Sequence, residues 1–186
     1  MKTKIVKGYR FVTGDLKSEH GETHWVIGEW QHQDGKLELC ANGFHASKDP
    51  LDSLGCVFGS RWFHCEAKGK ILHDSAKFCA SDMRITKEIP ELLLRYFAYE
   101  CALHVLPIYE KYYPEDKRVR LCLEAVKRFL DAPTEKHKRK MDVARAAAWA
   151  AARDAAWAAA RDAAWAAARD AEREWQRKTL KKLLKR

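Results

Sequence analysis

The 186-residue chain is 47% hydrophobic and 33% charged, which excludes a wholly disordered polypeptide and leaves room for one sizeable domain or two small ones. No run of about 18 apolar residues is free of charge, and the start MKTKIVK lacks the apolar core and cleavage site of a signal peptide, so we expect neither a spanning helix nor a secretory leader and read the protein as cytoplasmic. The net charge of +9 is lopsided: residues 1–90 carry 13 basic and 12 acidic side chains, residues 91–186 carry 22 and 14, so the excess belongs to the second half.

Residues 1–88 read as short strands and turns. Ile5 to Val12, His24 to Trp30 and Lys36 to Ala41 are predicted strands, with Gln33-Asp34-Gly35 as the hairpin turn between the second and third. Asn42-Gly43 breaks the chain again. Asp49-Pro50 opens a short helix, the aspartate capping and the proline at the first helical position. Arg61 to Ala67 and Lys70 to His73 are predicted as strands divided by Gly69, and Phe78 to Thr86 as another.

From Glu88 the pattern turns helical. Leu93, Phe97, Cys101, Val105, Ile108 and Tyr112 recur every three or four residues, an apolar stripe that Pro107 is expected to kink or break. Acids at Glu115 and Asp116 precede a second helix with Val119, Cys122, Val126, Phe129 and Leu130 on its stripe. A final long helix is expected from about Thr134 toward the C-terminus, because residues 144–171 are mostly alanine, the best helix former.

That helix holds an eight-residue repeat: AAAWAAAR at 146–153, then DAAWAAAR at 154–161 and again at 162–169. Eight residues advance a helix by about 80° beyond two full turns. Trp149, Trp157 and Trp165 therefore wind around the axis, which disfavours a two-stranded coiled coil. Arg145, Arg153 and Arg161 each precede a tryptophan by four residues, setting guanidinium beside indole on neighbouring turns. One reading packs the tryptophan arc on the helices of residues 91–130 with Arg and Asp facing water; the other leaves part of it exposed as a partner-binding face. Trp149, Arg153, Trp157, Arg161 and Trp165 are the partner-binding candidates, with self-association through the Ala/Trp helix as a further outlet.

The six cysteines show no C-x-x-C spacing and are expected to be free thiols. Cys40, His45, His64, Cys65, His73 and Cys79 contain the residue types of a metal site, but only His64 and Cys65 are close. Adjacent strand residues point to opposite faces, so no metal and no cofactor is expected. Arg177, Lys178, Lys181, Lys182, Lys185 and Arg186 form a basic end that is amphipathic if helical, a candidate nucleic-acid contact. An anionic membrane surface or a solvated helix end are the other readings of those cations.

The first half, through Asn42-Gly43-Phe44-His45-Ala46-Ser47, Pro50-Leu51-Asp52, Arg61-Trp62-Phe63 and Glu66-Ala67-Lys68-Gly69, resembles an uncharacterised domain common in bacteriophage proteins, a family that brings no functional residues with it. The second half, through Arg95-Tyr96-Phe97-Ala98, Cys101-Ala102, His104-Val105-Leu106, Tyr109-Glu110 and Tyr113-Pro114-Glu115-Asp116, resembles the helical type 5-like immunity protein family. That resemblance implies binding and neutralising a hostile protein. A shorter likeness, Gly43 to Ser47 followed by a helix and a strand ending in Glu66, is to the core of ADP-ribosyltransferase-like domains. It would make Tyr9, Arg10, His45, Ser47 and Glu66 an NAD site, with His45 and Glu66 the weak catalytic candidates.

The expected fold is α+β: a small mixed sheet domain over 1–90, then a helical domain over 91–186 with the Ala/Trp/Arg helix and a basic tail. The expected function is a non-catalytic, protein-binding inhibitor or immunity/anti-defence protein of a phage or mobile element, its partner a toxin, nuclease or host defence complex. The alternatives are a nucleic-acid-binding accessory protein and an ADP-ribosyltransferase-like enzyme.

Overall fold

In the computed structural model, which describes residues 4–56, 59–145, 148 and 165–185 (backbone alone for 165–169), one long antiparallel hairpin organises the first half. Its arms are β4 (Arg61–His73) and β5 (Phe78–Ile89). The strand β1 (Val6–Val12) pairs antiparallel with β4, while β2 (Gln31–His32) and β3 (Phe44–Ala46) both pair antiparallel with β5. Alternation along these strands sends Phe63, Cys65 and Ala67 of β4 and Met83 and Ile85 of β5 to one buried face, and Ala80, Phe44, Ala46, Val12 and Trp25 complete the same core cluster. On the other face Trp62 stacks on Phe11 at 5.7 Å and donates its Nε1–H to Ser53 Oγ at 3.1 Å, in α1 (Pro50–Ser53). Asp49 caps α1 by accepting from the Leu51 amide, with Pro50 behind it, as the Asp-Pro pair predicts.

Three local readings of the sequence are corrected. Residues 24–30 form no strand: Trp25 alone inserts into the core from a loop, while Val26 and Ile27 are 49% and 47% exposed. The β-branched residues that suggested a strand face solvent. Residues 36–41 are a tight loop rather than a strand, and Gln33-Asp34-Gly35 is no hairpin turn between strands. Asn42 holds that loop closed, its side-chain amide donating to the carbonyls of Asp34 and Lys36. The chain then turns into β3, too short to show a period. Third, Gly69 does not divide two strands. With φ at +74° it sits in a bulge of one continuous β4, where any Cβ would strike Ser81 and Asp82, and the Lys70 amide is satisfied by Ser81 Oγ at 3.0 Å.

The second half is helical: α2 (Glu91–Tyr112), α3 (Arg118–Asp131), α4 (residues 135–145 among those described) and α5 (Trp165–Leu183). The fold is therefore α+β. Pro107 lies inside α2 without breaking it. It removes a single amide donor on an exposed flank, next to Ile108 at 62% exposure, where water can serve the freed carbonyl. The stripe read from the sequence is the inner one only over its first half, where Leu93 and Cys101 are half-buried beside Phe97. Phe97 and Leu106 are buried, whereas Val105, Ile108 and Tyr112 are open to solvent. Both flanks of α2 are rich in leucine, so periodicity identifies the helix and not its inner face. Spatially the chain forms two units, Met1–Glu91 with Leu184–Arg186, and Leu92–Leu183.

Candidate functional sites

The sheet unit holds a cavity of about 880 Å³ beside β1 and β3. Tyr9 and Ser47 exchange backbone hydrogen bonds of 2.8 and 3.0 Å, locking the two strands together and carrying Arg10 beneath His45. Arg10 Nη1 donates to the His45 carbonyl at 2.6 Å and Nη2 to Ser18 Oγ at 2.8 Å, while the guanidinium lies 4.8 Å over the Trp25 ring. Its Nε is sealed from solvent with no hydrogen-bond partner. Burial pulls its pKa down to about 10, against small opposing effects of Cys65 and Cys79.

His45, on β3, lines the same cavity. Its Nε2 accepts the Cys40 amide at 2.9 Å, and burial lowers its pKa, helped by the positive charges of Arg10 and Lys77. Lys77 reaches across to donate to Cys40 Sγ at 2.8 Å, a contact that raises the lysine's pKa. Gly43 makes the entry to β3 possible: its φ is +121°, and a Cβ there would run into Cys79 Sγ and the Leu37 side chain. The Asn42–Ser47 motif thus builds one wall of the cavity. Tyr9, Arg10, His45 and Ser47 are brought together there. Glu66 is not among the lining residues. It forms a cross-strand ion pair with Arg84 at 2.7 Å, and Arg84 in turn covers Trp30 at 4.8 Å. Ser18 and Lys77 carry no signal as site residues in the sequence, where Cys40 counts only as a metal-ligand type, since chain separation hides their meeting. Among the described residues no three His, Cys, Asp or Glu side chains gather as a metal site.

In the helical unit the conspicuous motif residues act on one another. Tyr109 donates its hydroxyl to Asp116 at 2.7 Å, and Asp116 also receives Arg118 at 2.6 Å. Arg118, then the Arg118 amide and Tyr109, hold the Asp116 carboxyl well below the usual carboxylate range. Glu110 takes a two-pronged pair from Arg120 at 2.6 Å on each side, and Tyr96 donates to Asp131 at 3.1 Å. These contacts staple α2 to α3. His104 stacks on Trp175 of α5, rings 3.7 Å apart and within 6° of parallel, and pairs with Glu172 at 3.2 Å.

Residues 84–170 match the family model described as Imm-5 like putative immunity protein. The second half is similar to an immunity protein. Residues 6–95 match the model described as Domain of unknown function (DUF7666), and no curated protein and no solved structure matches the chain.

The described part of the immunity-like half presents an apolar groove, of about 400 Å³, between α3 and α4. Leu121 and Val143, 54% and 73% exposed, line it with Ala144, and Arg118, Arg139 and Lys140 stand around them. Of the residues singled out as partner-binding, Trp149, Arg153, Trp157 and Arg161 lie outside the described residues, and Trp165 opens α5 with its side chain outside them too. The basic end is helical through Leu183, anchored by the fully buried Leu180. Lys178, Lys181, Lys182 and Lys185 are exposed, Lys178 paired with Glu174 at 3.5 Å; Arg177 is half-buried and Arg186 lies outside the described residues. Among the described residues no helix is long and apolar enough to cross a membrane.

Proposed function

We propose that the chain is a non-catalytic, protein-binding inhibitor of the immunity type, encoded by a phage or mobile element. Its basic helical unit would neutralise a toxin, nuclease or host defence component through an acidic face of that partner. The α3–α4 groove carries this reading: an apolar floor of Leu121, Val143 and Ala144 with Arg139 and Lys140 beside it suits an apolar anchor flanked by carboxylates. The likeness of residues 84–170 to an immunity protein supports it, and the family's motif residues support it indirectly. Tyr96, Tyr109, Glu110 and Asp116 are occupied in holding helices together, which leaves recognition to other surfaces. The tryptophan and arginine residues Trp149, Arg153, Trp157, Arg161 and Trp165 are proposed to extend that surface, or to join two copies of the chain.

Affinity purification of the tagged chain from its bacterial host, with nuclease added, tests the proposal. A nuclease-resistant protein should be recovered, and Leu121→Asp with Val143→Asp should weaken its binding by about 2 kcal/mol or more. Recovery of nucleic acid alone would overturn it. A second reading, a nucleic-acid-binding accessory protein, rests on the exposed Lys178, Lys181 and Lys182 of α5. It predicts binding that falls with salt, by about 0.9 in log–log slope for each duplex phosphate contact.

A further inference from the structure

Keeping an arginine buried without a carboxylate beside it is costly, because the lost hydration is not returned by an ion pair. Arg10 approaches this situation: it is half-buried, with its Nε wholly sealed from solvent. Its two Nη hydrogen bonds go to neutral acceptors, the His45 carbonyl and the Ser18 hydroxyl, its ring neighbour is Trp25, and Nε has no partner at all. No ion pair of Arg10 occurs among the described residues. Arg10 nevertheless lines the cavity of the sheet unit, and a second cation, Lys77, lines it too. Both charges act on His45 between them, disfavouring its protonation, so the cavity wall is electropositive at that point. The carboxylates that line the cavity, Glu19 and Glu22, belong to the loop that follows Ser18.

We propose that this cavity binds a small phosphorylated molecule, its phosphate held by Arg10 and Lys77 beside β3. Two cations match the dianion that a phosphate monoester carries near neutral pH better than they match a single carboxylate. The volume of about 880 Å³ lies within the range of small-molecule sites and far exceeds one phosphate, so the group arrives on an organic body. None of the cavity's lining residues is shared with the helical groove.

Isothermal titration of the full chain with inorganic phosphate and with pyrophosphate, in low-chloride buffer near neutral pH, tests this, with acetate as the control anion. Phosphate should bind saturably, one per chain, and move the backbone amide resonances of Arg10 and of residues 43–47. Lys77→Ala should weaken binding about tenfold, the loss of one charge-assisted contact, and Arg10→Met should abolish it. Lys181→Ala with Lys182→Ala should leave it unchanged. Should Arg10→Met fail to fold, Lys77→Ala and the amide shifts decide. The proposal is overturned by absence of saturable phosphate binding, by an unchanged affinity in Lys77→Ala, by acetate binding as tightly as phosphate, or by loss of binding in the α5 double variant.

Discussion

Tyr109 holds its proton up to about 12, because burial disfavours the phenolate and the Asp116 carboxylate beside it repels a second negative charge. An unfolded tyrosine titrates near about 10. The folded state therefore binds this proton more tightly, and the stabilisation it gives is whole below about 10 and lost as pH rises through about 12. The helical unit should lose stability across that window, and Tyr109→Phe should shrink the loss. Circular dichroism melts at stepped pH read the slope, and an identical slope in the variant would show that the phenol does not contribute. At Gly43 the constraint is steric rather than electrical. Gly43→Ala places a Cβ at φ +121° against Cys79 Sγ, and we expect a destabilisation of about 2 kcal/mol or more in chemical denaturation. A variant as stable as the parent would mean that the Asn42–Ser47 turn has another conformation open to it.

Pro107 sets the prediction for α2. Pro107→Ala restores an amide donor inside the helix, so the thermal midpoint should rise, by an amount corresponding to about 1–3 kcal/mol. A fall in midpoint would show that the ring makes contacts the helix depends on. The elements also show where a sequence is readable. Asp49-Pro50 announces α1 because capping is local chemistry, and β1 and the β4–β5 arms announce themselves by alternation. Residues 24–30 mislead because Val26 and Ile27 look like strand residues and yet face water, while their segment delivers Trp25 to the core. The three residues of β3 lack length for any period, and their pairing with Phe78–Ala80 is set by partners more than thirty residues away. The candidate cavity was half legible. His45 and Arg10 are candidates of the short likeness to NAD-binding domains, but Lys77 meets them only through the hairpin turn.

At the scale of the molecule, composition and structure divide the chain at nearly the same place. Residues 91–186 hold 22 basic and 14 acidic side chains, and the second unit is Leu92–Leu183. We propose that the helical part folds by itself, with boundaries near 1–90 and 91–186. Expressed alone, residues 91–186 should retain most of their helical circular dichroism and unfold cooperatively. A spectrum of mostly coil would show that the helices need the sheet unit. The same charge division predicts that raising salt weakens whatever the helical half binds more than what the sheet cavity binds.

The burial of Leu180 has a consequence for the lysines around it. A basic terminal arm that is loose in solution must be ordered when it meets a polyanion, at roughly 1–2 kcal/mol for each residue fixed. Here Lys178, Lys181 and Lys182 ride on a helix already pinned through its apolar side. Their spacing is set by the helical rise of about 1.5 Å per residue, so they approach a partner as a rigid comb of charge rather than as a wrapping strand. Such a comb selects by the pitch of the anionic groups it meets. Its contacts would be lost together if Leu180 were replaced by a polar residue, even with every lysine intact.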